Sequence, residues 1–303
     1  MKVVFFGTSD VGLPILEALA QEHEVVQVIT SPDAAVGRKQ EMQATPVANL
    51  AEFLKIPVQK PESVKNNPEF LDFLKTLGAQ IFIVVSYGKI LPAELLDIPP
   101  LKTLNVHFSL LPKYRGAAPI QYALLNGEKT TGTTIFILDE QVDHGPILIQ
   151  KDFAIKPDDT FPTLAEKLAK LSAELLINIL PQYEAGVITP QEQNETEATF
   201  TKLIKKDHGR VDWSQSSQEI LNQLRAFTPW PGIWTTWKQP DQVVKILKAE
   251  VVDHLDEDHA QEIRECGNGT YLRLIEIQPA GKNQMLMRDF LNGQKDFQTK
   301  DLI

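Results

Sequence analysis

Five consecutive apolar residues, Ile81-Phe82-Ile83-Val84-Val85, constrain the fold more than any other stretch of the chain. A strand with one wet face alternates apolar and polar side chains. An unbroken run of this length fits a strand covered on both faces, as in a parallel sheet packed between helices. The flanking sequence supplies the rest of such a sheet. Residues 3–6 and 25–29 read as further strands and 13–19 as a helix, while Thr45-Pro46 opens a helix through residue 54, with threonine as N-cap and proline at the first helical position. Residues 117–126 read as a helix stopped by Gly127, and 133–138 as another strand. Leu164, Leu168, Leu171, Leu175 and Ile179 recur at helical spacing. Strands alternating with helices predict an α/β class with a mostly parallel sheet.

The pattern changes toward the C-terminus. Residues 187–200 are polar and nearly unpatterned, as expected of a linker. Beyond them come a helix over 214–227 and short strand-like runs at 233–237, 243–247, 250–252 and 272–277, which suggest a small β-barrel or sandwich. At 303 residues the chain is long enough for two domains. The expected division is a first domain over 1–188, a linker over 189–206 and a second domain over 207–303.

Composition removes several function classes. Hydrophobic residues at 43% and charged residues at 23% describe a globular protein with a substantial core. Cys266 is the single cysteine, so an internal disulfide is impossible and a cysteine-based zinc site is not expected. No apolar run reaches membrane-spanning length, and the first residues read as a buried strand rather than a targeting peptide. A cytoplasmic location without membrane contact is therefore expected, and a monomer, since no extended apolar patch stands out. The net charge of −10 disfavours bulk adhesion to nucleic acid, yet residues 201–250 carry eight basic against five acidic side chains.

Ligands of an open α/β sheet bind outside the carboxyl ends of its strands. The first such end, Gly7-Thr8-Ser9-Asp10-Val11-Gly12, has neither the spacing of a dinucleotide loop nor the Gly-Lys-Ser/Thr of a phosphate loop. It reads as a plain turn. The informative end is Leu104-Asn105-Val106-His107-Phe108. Alternation along a strand puts Asn105 and His107 on one side, a carboxamide beside an imidazole, able to hold a carbonyl oxygen as it gains negative charge. Asp143, in the loop after the 133–138 strand, reaches the imidazole if the two strands are neighbours. Each residue also fits a plainer role, a hydrogen-bonded structural histidine and a turn aspartate before glycine.

Asn105-Val106-His107, Ser109-Leu110-Leu111-Pro112-Lys113-Tyr114-Arg115-Gly116-Ala117-Ala118-Pro119-Ile120 and Asp143-His144-Gly145 together closely resemble the signature of folate-dependent formyltransferases. The likeness runs nearly end to end. It includes Phe5-Phe6-Gly7-Thr8, Tyr87-Gly88-Lys89-Ile90-Leu91-Pro92, Arg225-Ala226-Phe227-Thr228-Pro229-Trp230-Pro231-Gly232 and Gln278-Pro279-Ala280-Gly281-Lys282. The resemblance implies an N-terminal Rossmann-like domain that binds 10-formyltetrahydrofolate and a C-terminal OB-type β-barrel that helps bind tRNA. It implies transfer of the formyl group to the α-amino group of methionine on initiator tRNA, a step of translation initiation, with no metal. By the same resemblance Asn105 and His107 stabilise the oxyanion, Asp143 orients His107 and assists proton transfer, and Ser109, Leu110, Leu111 and Pro112 bind the folate.

The family carries a basic, glycine-rich insertion after its second strand. Here Gly37-Arg38-Lys39 keeps that character, while Ala34-Ala35 and Glu41 dilute it. Arg38 and Lys39 are the expected acceptor-stem contacts, with Lys205 and Lys206 as further tRNA contacts. His144 stands where threonine is more usual. Two other readings share these residues: a formyltransferase acting on an amino-sugar nucleotide, and a noncatalytic RNA-binding protein. The basic window and the Pro229-Trp230-Pro231-Gly232 block favour tRNA as the acceptor.

Overall fold

In the computed structural model, which describes residues 1–36, 41–237, 239–255, 259–294 and 297–303, the apolar run is the centre of a seven-stranded sheet. The elements follow in chain order as β1 (Lys2–Gly7), α1 (Leu13–Glu22), β2 (Glu24–Ile29), β3 (Ala34–Val36), β4 (Glu41–Gln43), α2 (Pro46–Phe53), β5 (Val58–Gln59) and α3 (Pro68–Thr76). Then come β6 (Ile81–Val85), α4 (Ala93–Leu96), β7 (Thr103–His107), β8 (Arg115–Gly116), α5 (Pro119–Leu125), β9 (Thr130–Ile137), β10 (Ile147–Ala154), α6 (Phe161–Glu184) and β11 (Phe200–Thr201). The sheet order is β10-β9-β7-β6-β1-β2-β5. From β5 to β7 the strands run parallel, and β9 and β10 turn antiparallel.

Local chemistry accounts for these elements. All five residues of β6 are buried, as are five of the six in β1, which is the burial a two-sided sheet demands. The Thr45 side chain accepts from the Ala48 backbone N–H at 3.1 Å and caps α2, with Pro46 at its first position. On one face, Phe6, Phe82, Leu74 and Leu95 are fully buried among their neighbours, and Phe6 meets Tyr87 edge-on with ring centroids 5.5 Å apart.

The chain separates into two units, and neither is a single stretch of sequence. The first comprises Met1–Pro119, Thr130–Ala154 and Ala165–Thr201; the second comprises Ile120–Lys129, Ile155–Leu164 and Lys202–Ile303. In the second unit, α7 (Ser217–Phe227) begins with a capping box between Ser216 and Glu219. It precedes β12 (Ile233–Trp237), β13 (Gln239–Val252), β14 (Ile263–Cys266), β15 (Thr270–Pro279), β16 (Met285–Leu286) and α8 (Met287–Gly293). These strands pair antiparallel in the order β12-β13-β15-β14, with β16 also on β15. The expected runs at 243–247 and 250–252 are parts of one strand. Among the described residues no ladder joins β12 to β14.

Candidate active site

Strand β7 lies between parallel β6 and antiparallel β9, with Asn105 opposite Val84 on one side and Phe136 on the other. Leu104 and Val106 are buried in the core, so alternation turns Asn105 and His107 to the opposite face. Asn105 is half-buried and, among the described residues, its carboxamide has no hydrogen-bond partner. His107 is 6% exposed, and both its ring nitrogens are engaged. Nε2 meets the Tyr114 carbonyl oxygen at 2.9 Å, and Nδ1 stands 3.5 Å from Asp143 Oδ2. A carbonyl only accepts, so Nε2 carries a proton toward Tyr114, and Nδ1 is the atom that faces the carboxylate.

The neighbouring strand does bring Asp143 to the imidazole, though by a longer route than side-by-side strand ends. Because β9 is antiparallel, Ile137 at its carboxyl end pairs with Leu104, so the loop from Asp139 to Pro146 must fold back toward His107. Two features hold it there. Gly116 N–H donates to Asp143 Oδ2 at 2.7 Å, and a Cβ on Gly145 would collide with the Ile137 carbonyl oxygen. Asp143 itself has φ 48°, a left-handed conformation that aspartate tolerates better than most residues.

The segment expected to bind folate is fixed from beneath. Thr134 Oγ1 donates to the Ser109 carbonyl at 2.6 Å and receives the Leu111 N–H at 3.2 Å, while Gln150 Nε2 donates to the Leu111 carbonyl at 2.6 Å. The buried Ser109 hydroxyl donates to the Lys113 carbonyl at 2.6 Å. With these groups satisfied internally, the partly exposed edges of Leu110 and Pro112 are what the segment presents outward, an apolar lip suited to an aromatic ring.

Sequence reasoning missed the polar frame behind Asp143. Arg115 is 2% exposed, and its Nε and Nη2 donate to Gln193 Oε1 at 3.0 and 2.8 Å. Its Nη1 and Nη2 also grip Glu195 at 3.0 and 2.6 Å, and these bonds hold the Glu195 carboxyl below its ordinary value. Gln193 Nε2 donates onward to the carbonyls of Asp143 at 2.9 Å and Gly145 at 2.8 Å. His144 joins the same frame, with Nδ1 2.6 Å from Asp139 and Nε2 3.5 Å from Glu195. Gln193 and Glu195 lie in the stretch read as linker, which also lays β11 alongside β8 and supplies Thr199 to the Tyr114 N–H at 2.8 Å. The one sequence signal was Arg115, a charged residue next to Gly116 inside the block that carries the family resemblance.

Arg38, Lys39, Lys205 and Lys206 are the expected tRNA contacts. Arg38 and Lys39 lie outside the described residues. Lys205 and Lys206 are exposed in the second unit, at the start of the turn Lys206–Gly209, and no ion pair among the described residues involves them. No group of three or more His, Cys, Asp or Glu side chains among the described residues is placed to hold a metal ion, and no helix among them is long and apolar enough to cross a membrane.

With this geometry in hand, comparison with known proteins is informative. Residues 1–180 match the formyl transferase family and residues 203–295 match the formyl transferase C-terminal domain. A methionyl-tRNA formyltransferase of Caldanaerobacter subterraneus is 42% identical over 302 residues, covering 97% of each chain. Its namesake from Koribacter versatilis is 42% identical over 300 residues, covering 97% of this chain and 96% of that one. Among solved structures, WlaRD, a sugar 3N-formyl transferase seen with dTDP and 5-N-formyl-THF, superposes with a TM-score of 0.65 at 19% identity, over 93% of this chain and 99% of that one. HypX from Aquifex aeolicus in complex with tetrahydrofolic acid gives 0.62 at 16% identity, over 98% of this chain and 48% of that one. At such identities these two structures speak for the fold alone.

Proposed function

The chain belongs to the formyl transferase family, and from that premise we propose that it moves the formyl group of 10-formyltetrahydrofolate to the α-amino group of methionyl-initiator tRNA. The observation that carries the reading is near end-to-end identity of 42% with methionyl-tRNA formyltransferases, both halves included. The sugar formyltransferases share the fold at half that identity and do not choose the acceptor. The reading includes a cytoplasmic monomer, with Arg38, Lys39, Lys205 and Lys206 as tRNA contacts.

The residues supply what the reaction requires. The methionine nitrogen bonds to the formyl carbon, the bond from that carbon to the folate nitrogen breaks, and one proton passes from the amine to the departing nitrogen. Asn105, whose amide is uncommitted, donates to the formyl oxygen as it becomes an oxyanion. Asp143 receives the amine proton. His107 stands behind it at 3.5 Å to share the charge. His107 Nε2–H reaches the formyl oxygen itself only by leaving the Tyr114 carbonyl, so Asn105 is the first donor in place.

The direct test mixes the protein with 10-formyltetrahydrofolate and methionine-charged initiator tRNA and assays formylmethionine. Product is expected; its absence with both substrates present would overturn the reading. Loss of one oxyanion donor lowers turnover by about 100–1,000-fold, so Asn105→Ala should fall in that range with folding intact, and near-normal turnover would remove Asn105 from the mechanism. Binding of tRNA should weaken steeply as salt rises, because phosphate contacts release counterions. A flat salt response would favour a small acceptor.

A further inference from the structure

Four hydrogen bonds make the orientation of one side-chain amide unambiguous. Gln193 Oε1 receives two N–H groups from Arg115, a group with no acceptor, so its Nε2 must point the other way, where it meets two carbonyl oxygens that cannot donate. Those carbonyls belong to Asp143 and Gly145, either side of His144. We propose that Gln193, locked by Arg115, is a positioning residue that sets where the Asp143 carboxylate stands. The inference rests on the role given to Asp143 above.

Three features give the clamp its force. The Asp143 loop has to fold back across the sheet, and the residue takes a left-handed backbone, so the loop would not hold this shape unaided. The main chain of Asp143 is held by Gln193 and its carboxylate by Gly116 N–H, while Arg115 precedes Gly116, so the Arg115–Gly116 pair governs both ends of one residue. Gln193 is 8% exposed and Arg115 2%, so losing one partner leaves the other's polar groups without water to replace it. Glu195, reaching Arg115 from the solvent side, completes the frame.

Gln193→Glu separates positioning from packing. The substitution keeps the shape and still accepts from Arg115, yet it removes both N–H donors and sets a carboxylate oxygen against two carbonyls. Displacing a reacting group by about 1 Å costs on the order of 100-fold, so kcat should drop by about 10- to 100-fold, with KM for folate and tRNA within about twofold. Gln193→Ala should lower kcat in the same direction and serves if the charged variant does not fold, judged by circular dichroism. The decisive reading is the background of Asp143→Asn, where a clamp that acts only through Asp143 adds no further loss. Unchanged kcat in both Gln193 variants, or the same fold-loss in the Asp143→Asn background, would overturn the proposal. Undiminished turnover in Asp143→Asn alone would instead overturn the role of Asp143, and with it the need for a clamp.

Discussion

Arg115 in the first unit is held between two acceptors and Arg273 in the second among three, Glu262, Glu250 and His259, and their surroundings set them apart. Arg115 is closed off from water and braces the loop that carries Asp143. Arg273, on β15, donates Nε to Glu262 at 2.8 Å and Nη1 to Glu250 at 3.2 Å with 27% of its side chain exposed. Water reaches Arg273 and the half-exposed Glu250 and screens that pair, which therefore contributes little, whereas Glu262 is itself largely buried. A buried guanidinium has no such screening, and its partners are fixed with it. One kind of contact therefore dresses a sheet surface in one place and, on the proposal above, positions the Asp143 carboxylate in another.

The largest expected effect is for Arg115→Met, which strands Gln193. The Gln193 carbonyl oxygen is left buried without its two donors, which costs about 1–3 kcal/mol, so the expectation is toward the upper end of that range by urea unfolding, with kcat reduced as well. An unfolding midpoint shifted no further than in Arg273→Met would put Arg115 on a par with Arg273. Next come two glycines that each touch a backbone carbonyl. A Cβ at Gly145 meets Ile137 O, and one at Gly267 meets Ser214 O, so both alanine variants should lose about 1–3 kcal/mol. Only Gly145→Ala is expected to reduce kcat, by at least about tenfold, because only its loop carries a residue proposed to take part in the reaction. Equal losses of kcat would erase the distinction.

Arg273→Met should cost about 1–2 kcal/mol, because it takes one donor from the largely buried Glu262, and leave kcat unchanged; a shift as large as that of Arg115→Met would show that this cluster braces its unit equally. The smallest effect concerns Cys266, at the end of β14 beside that cluster. Burial pushes its thiol up to about 11, so thiolate is scarce at pH 8, and alkylation by iodoacetamide should follow opening of the second unit. Rapid alkylation without unfolding would contradict that burial.

The parts of the fold that show in the sequence are those written in local chemistry. The continuous run of β6 and the Thr45-Pro46 start of α2 carry their own reasons, as does the alternation that pairs Asn105 with His107. Strand β10 escaped notice because its exposed Gln150-Lys151-Asp152 interrupts the apolar pattern. Gln193 was illegible for a different reason. Nothing beside it marks it out, since its meaning lies in two carbonyls some fifty residues earlier in the chain. Arg115 and Asp143 stood inside recognisable motifs, while what joins them came from a stretch with no pattern.

The interleaving of the two units has a practical consequence. Residues 120–129 and 155–164 belong with the C-terminal unit, where the Asn222 side-chain amide lies against Gly127, and Arg225 donates to the carbonyls of Lys156 and Asp159. A fragment beginning at residue 202 would be missing two of its own pieces. Exchanging the C-terminal unit between relatives by a single crossover is therefore a poor strategy; a chimera that folds should carry all three segments from the same parent.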